Sequence, residues 1–272
     1  MPERTTKWRR WLLPWLAPVS LLLLWQIGAQ LGWISPRFLP APTAVLQSAG
    51  RLIANGQLFR HLAISTARAA GGLLLGGGLG LLFGVLTGLS PIAERLLDTS
   101  FQMIRTVPHL ALIPLVILWF GIDEQAKLFL IALGVFFPMY INTYHGIRAI
   151  DPGLIEMARV YDIRGARFLK TVVLPGALPS ILVGLRLSLG TMWLTLIVAE
   201  TISSQSGLGY LAMNAREFMH TDIILLSILI YALLGKLADV AVRVLERRVL
   251  PWHPIGLKTA NPAVDLLTIQ PV

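Results

Sequence analysis

The sequence predicts an all-α membrane protein with about six transmembrane helices, and three observations carry that prediction. Of 272 residues, 55% are apolar and 14% charged, with a mean hydropathy of +0.70, outside the range of an ordinary soluble domain. A hydrocarbon core needs roughly 20 apolar residues per helix, and six such stretches lie near 11–31, 68–89, 101–121, 126–146, 177–199 and 223–244. Basic residues cluster beside alternate connections, as the positive-inside rule expects, with Arg37, Arg51 and Arg60 in the first outer loop diluting the pattern.

Arg4, Lys7, Arg9 and Arg10 precede the first stretch; Arg148, Arg159, Arg164, Arg167 and Lys170 separate the fourth from the fifth; Arg243, Arg247 and Arg248 follow the last. These segments are expected on the cytoplasmic side, so both termini lie there in a multi-pass protein. A tail over 1–10, a membrane domain over 11–250 and a tail over 251–272 follow. The net charge of +9 is thus placed for lipid headgroups and not for nucleic acid, which calls for bases and aromatics on one soluble face. The basic start followed by LLPWLAPVSLLLLW resembles a signal peptide, but the long apolar run without a small-residue cleavage site reads as a retained helix. Cysteine is absent, so disulfides and thiolate chemistry are not available.

Residues 35–62 are proline-rich and then amphipathic, an extended outer segment leading into a surface helix. The second stretch carries Gly72, Gly76, Gly80, Gly84 and Gly88 at every fourth position, a small-residue row for close helix packing, within the fold or between subunits. Pro108 and Pro114 in the third stretch and Pro138 in the fourth each remove a backbone donor and bend or loosen a helix.

Between the fourth and fifth stretches runs DPGLIEMARVYDIRGARFLKTVVLPGALP, residues 151–179. Asp151 can cap a helix whose first residue is Pro152. Leu154, Ala158 and Tyr161 then fall on one expected ridge, flanked by Glu156 and Arg159. Asp162 to Gly165 reads as a turn and 166–174 as a second short helix, which Pro175 and Pro179 should end. Joining two spans needs far fewer residues, so the excess favours docking in a partner's groove, with Ala158 permitting close approach.

This stretch resembles the EAA motif of ABC importer permeases, with Glu156, Met157, Ala158, Asp162, Val172, Leu174 and Pro175 in register and Asp162 where glycine is usual. RTVPHLALIPLVILWFGIDEQAK (105–127), FFPMYINTYHGI (136–147), TLIVAETIS (195–203) and GLGYLAMNAREF (207–218) are similar to the permeases of aliphatic sulfonate importers. The resemblance implies a type I ABC importer permease fold and a cytoplasmic coupling segment over 149–176, with Glu156, Met157, Ala158, Tyr161, Asp162, Gly165, Val172, Leu174 and Pro175 as the coupling residues. It also implies a cytoplasmic ABC ATPase dimer, a second permease copy forming a homodimer, a periplasmic or lipid-anchored substrate-binding protein, and the bacterial inner membrane as location. The cargo is then an aliphatic sulfonate, with taurine, nitrate or another small anion as the alternative.

No Walker A sequence is present: Gly235-Lys236-Leu237 lacks the upstream glycine and the Ser or Thr for magnesium. ATP and magnesium therefore belong on the partner ATPase, and this chain needs no cofactor. Within the spans Arg186 is a candidate for an anion pathway, but Asp239 should lie at similar depth and intramembrane charges usually pair. Glu200 falls in a region resembling the outer gate of related permeases, or stands at the membrane surface. Arg105, at the inner end of its span, is expected to snorkel to headgroups. The five histidines lack metal-ligand spacing. A stand-alone secondary transporter would typically carry repeats and midplane ionisable groups, and a membrane enzyme a converging catalytic motif; the sequence suggests neither, so no catalytic or metal residues are expected.

Overall fold

The computed structural model of the chain describes residues 3–251. Every regular element among them is a helix: α1 (Glu3–Gln30), α2 (Pro42–Ala54), α3 (Gln57–Leu89), α4 (Pro91–Arg105), α5 (His109–Phe120), α6 (Glu124–Arg148), α7 (Pro152–Val160), α8 (Gly165–Ile202), α9 (Leu208–Glu217) and α10 (Thr221–Val249). α3, α6, α8 and α10 are long and apolar enough to cross a membrane, and α1 carries the apolar stretch Trp15–Gln30. The expected tail 1–10 is, from Glu3 onward, part of α1; the expected tail 251–272 lies, beyond 251, outside the described residues.

The third expected span is not one helix. α4 and α5 meet at an 81° bend, where Pro108 is extended at ψ 110° and cannot supply a helical amide. The pair nevertheless runs the length of α6. Glu94 on α4 reaches Arg148 and Tyr144, Asp98 accepts from the Tyr140 hydroxyl at 2.7 Å, Phe101 stacks edge-on against Phe136, and Phe120 on α5 meets Phe129. Falling numbers on α6 against rising numbers on α4 and α5 make this pair a single antiparallel traverse.

Two compact units make up the chain, one of Met1–Ser65 with Ser204–Ala232 and one of Thr66–Ser203 with Leu233–Val272. In the second, α6 is central. The glycine row of α3 lies along it in parallel: a Cβ on Gly72 would meet Ile131, one on Gly76 the Ala132 backbone, one on Gly84 Thr143 and one on Gly88 Ile147. At Gly80 it would stand 2.5 Å from the Phe136 carbonyl oxygen and 2.9 Å from Met139 Cβ, closer than any side chain fits, so only glycine allows this approach. Of the two readings of the row, packing within the fold is the one observed. On the other side α8 runs antiparallel to α6, with Gly146 against Ser180, Gly184 against Asn142, and Ser188 donating to the Val135 carbonyl at 3.1 Å. Parallel α3 and α6 require an intervening return, which α4 and α5 supply.

In the other unit α2 buries Val45, Ser48 and Leu52, and its Ser48 hydroxyl donates to Asp222 at the start of α10, beside Arg51 at 3.4 Å. Gly207, at φ 108°, makes a tight turn before α9. The Gly207 and Leu208 amides donate to His61 Nδ1 at 3.1 Å and Ser65 Oγ at 2.8 Å, giving partners to two amides at that helix start.

Candidate functional site

The expected hairpin forms at the end of the bundle where α6 stops and α8 begins. Asp151 caps α7, its Oδ1 accepting from the Gly153 amide at 2.7 Å, with Pro152 following at the first position. α7 closes with a Schellman motif: the Ile163 amide donates to the Ala158 carbonyl at 2.8 Å and the Asp162 amide to the Arg159 carbonyl at 3.1 Å. This places Asp162 at φ 50°, the left-handed position that glycine fills most readily. Gly165 takes a second left-handed conformation at φ 56°, so the turn uses both residues.

Two expectations for the hairpin are corrected. Ala158 is not on the outer ridge: it is 1% exposed and packs with Ile147, Ile150, Val172, Val173 and Ala177. Leu154, Met157, Val160 and Tyr161 form the exposed apolar ridge, Val160 at 82% and Tyr161 at 73%. The sequence could not choose between these faces, because apolar residues occupy five of the nine α7 positions. Nor is the second helix of the hairpin separate. α8 begins at Gly165 and runs unbroken into the membrane span through Pro175 and Pro179. A π-helical turn at Leu169–Val173 widens the coil just before Pro175, relieving the clash of its ring with the preceding turn.

Of the motif residues, Ala158 and Val172 are buried, Leu174 and Pro175 partly buried, and Glu156, Met157, Tyr161, Asp162 and Gly165 exposed. Buried small and apolar groups therefore fasten α7 to α6 and α8, while the exposed ones face away. Since close-packed interiors transmit displacement, a force on the α7 ridge moves the ends of two membrane helices.

At the opposite end of the same bundle Glu200 is not a surface carboxylate. It is 1% exposed and lies 2.7 Å from Arg68 Nη1. Arg68 also grips both oxygens of Glu124, with Nε and Nη2 each at 2.6 Å, and Lys127 reaches Glu124 at 3.1 Å. This four-charge network joins α3, α6 and α8. Sequence reasoning missed it because residues 68, 124 and 200 share no local register; three charges at the outer ends of three expected spans were the available signal.

Arg186 does lie beside Asp239, at 3.6 Å, but its shorter contact is Glu246, at 2.5 Å through Nη2. Asp239 is held by Arg243 at 2.9 Å. Arg105 is misplaced by the sequence expectation: it lines a cavity with Gly134, Phe137, Pro138 and Asn142, level with the middle of α6 and not with its end. The bend at 106–108 shifted the depth that hydropathy alone assigned.

A bundle of helices long and apolar enough to cross a membrane, with a hairpin packed against one end, defines an integral membrane protein. Residues 76–251 match the family described as the binding-protein-dependent transport system inner membrane component, and the chain belongs to that family, in which ATP hydrolysis resides on a separate subunit. It is 60% identical over 249 residues to the putative aliphatic sulfonates transport permease protein SsuC of Escherichia coli (strain K12), covering 90% of this chain and 95% of that one. To the taurine transport system permease protein TauC of the same organism it is 38% identical, covering 92% and 95%. The crystal structure of an amino acid ABC transporter with histidines superposes with a TM-score of 0.59 at 18% identity, covering 74% of this chain and 97% of that one, so the fold is that of an ABC transporter permease.

Proposed function

We propose that this chain is the permease subunit of an ATP-driven importer for aliphatic sulfonates in the bacterial inner membrane, working as a homodimer with both termini cytoplasmic. The observation that carries the coupling is the two-faced α7: Ala158 sealed into the bundle end and Leu154, Met157, Val160 and Tyr161 exposed. An exposed apolar helix face suits a groove on a partner protein. The partner is a cytoplasmic ABC ATPase dimer holding ATP and magnesium, and a substrate-binding protein delivers cargo from the other side.

Mechanistically, ATP-driven closure of the two ATPase subunits displaces α7, and the packed contacts of Ala158 with Ile147, Val173 and Ala177 carry that shift into α6 and α8. The bundle then alternates between two packings, one opening toward the binding protein and one toward the cytoplasm. The sulfonate assignment follows from the higher identity to the sulfonate permease, 60%, than to the taurine permease, 38%.

The test is uptake by the complex of this chain with its ATPase and binding protein, rebuilt in proteoliposomes. Ethanesulfonate should accumulate only with internal ATP, and taurine and nitrate should compete weakly. Accumulation by the purified chain alone under an ion gradient would make it a secondary transporter; ATP-driven accumulation of nitrate or taurine but not ethanesulfonate would replace the cargo.

A further inference from the structure

In a membrane span a lone charge is costly, about 2.5–3.5 kcal/mol near the bilayer centre on insertion scales, and such charges pair or mark a pathway. Arg68, Lys127, Arg148 and Arg186 each sit 2.5–3.4 Å from a carboxylate. For Arg105 there is no ion pair among the described residues, although it stands at the depth of Pro138 and Asn142. α6 runs from 124 to 148, so these residues lie within the helix and away from both of its ends.

Beside Arg105 opens a cavity of about 460 Å³, within the range of small-molecule sites. It lies at the α4–α5 break and is walled by residues of α5, α6 and α8. Its polar groups are few: Asn142, whose amide nitrogen also donates to the Pro138 carbonyl at 2.8 Å, Thr191, and His109, which is held by Thr195 at 3.0 Å. The rest of the wall is apolar, with Val107, Phe137, Ile141 and Leu187. Neither Asp nor Glu lines it.

We propose that this cavity is the transit site for the cargo, with Arg105 receiving the anionic headgroup and the apolar wall receiving the alkyl chain. One cation facing a hydrocarbon wall matches a ligand with one fixed negative charge and an aliphatic tail. Without a carboxylate the site gives no counter-charge to an ammonium, so a zwitterionic aminosulfonate fits it less well, and a small inorganic anion leaves the apolar wall unused. The inference rests on the permease reading above but names the residue that selects the cargo within it.

The experiment uses the complete complex in proteoliposomes with ethanesulfonate as probe. Arg105→Gln should lower ATP-driven uptake at least tenfold and Arg105→Lys should restore at least a third of it, while both variants assemble with the ATPase in normal yield. Leu187→Trp fills the same cavity from its apolar wall and should lower uptake at least fivefold; it serves as the deciding variant if Arg105→Gln fails to assemble. Uptake within twofold of wild type in Arg105→Gln, or in Leu187→Trp when the former does not assemble, overturns the site. If wild type carries nitrate or taurine instead and Arg105→Gln blocks that, the sulfonate reading falls and the site stands. Sulfonate uptake that ignores Arg105 does the reverse.

Discussion

Arg68 Nη1 and Glu200 Oε1 lie 2.7 Å apart in a pair whose side chains are 4% and 0% exposed, on α3 and α8 respectively. Breaking a buried pair from one side leaves an uncompensated charge and costs about 3–5 kcal/mol, whereas replacing both partners by apolar groups is often close to neutral. Arg68→Met should sharply lower the melting temperature of the purified complex, and Glu200→Leu should lower it less, because Arg68 keeps both oxygens of Glu124. The double variant should melt above Arg68→Met, because it no longer holds a buried Glu200 carboxylate and Glu124 keeps Lys127 as its partner at 3.1 Å. Additive losses would show that the pair does not act as a unit.

The glycine row gives a position-specific prediction. A methyl on Gly76 would run into the Ala132 backbone, whereas one on Gly78 meets nothing within 4 Å. Gly76→Ala should therefore disrupt the α3–α6 contact and reduce folded yield. Gly78→Ala should leave it unchanged or raise stability by up to about 1 kcal/mol, the usual helical preference for alanine. Equal behaviour of the two, measured by thermal melting in detergent, would contradict the parallel packing of α3 on α6.

Asp162 carries a left-handed backbone at φ 50°, a conformation that costs a non-glycine residue roughly 1 kcal/mol. Its ion pair with Arg164, at 2.6 Å, is between groups 75% and 84% exposed, and such surface pairs contribute about 0–1 kcal/mol. Asp162→Gly should thus stabilise the hairpin slightly and leave ATP-driven transport intact or improved. Asp162→Val, branched at a position that disfavours it, should weaken assembly with the ATPase. A severe transport loss in Asp162→Gly at normal expression would assign the carboxylate a specific task.

Arg186 is anchored chiefly by Glu246, at 2.5 Å, with Asp239 at 3.6 Å. Glu246→Gln should lower the melting temperature more than Asp239→Asn does, and exchanging Arg186 with Asp239 should not rescue folding, since Arg243 and Glu246 would both lose partners. Rescue by the exchange would make Asp239 the main partner after all.

What the sequence reveals follows how locally each feature is encoded. The cap at Asp151, the turn at Asp162 and Gly165 and the glycine row are written in spacings of a few residues and appear in the structure as read. The inward direction of Ala158 is not local: it depends on Val172, Val173 and Ala177 arriving from α8. Likewise Arg68, Glu124 and Glu200 converge only after three spans align, and the depth of Arg105 depends on the 81° bend, which prolines permit but do not dimension. Pro175, by contrast, sits in an unbroken helix because of a wider turn before it, a compensation no propensity scale contains.

Coupling turns on the outer ridge of α7 meeting the ATPase while its inner face is buried. Because the chain has no cysteine, single thiols can be placed cleanly, at Val160, 82% exposed, and at Ala158, 1% exposed. In membranes containing the assembled complex, Val160→Cys should crosslink to cysteines on the ATPase groove and Ala158→Cys should not. Crosslinking through Ala158→Cys alone, or labelling of Val160→Cys by an impermeant thiol reagent from outside intact cells, would contradict it.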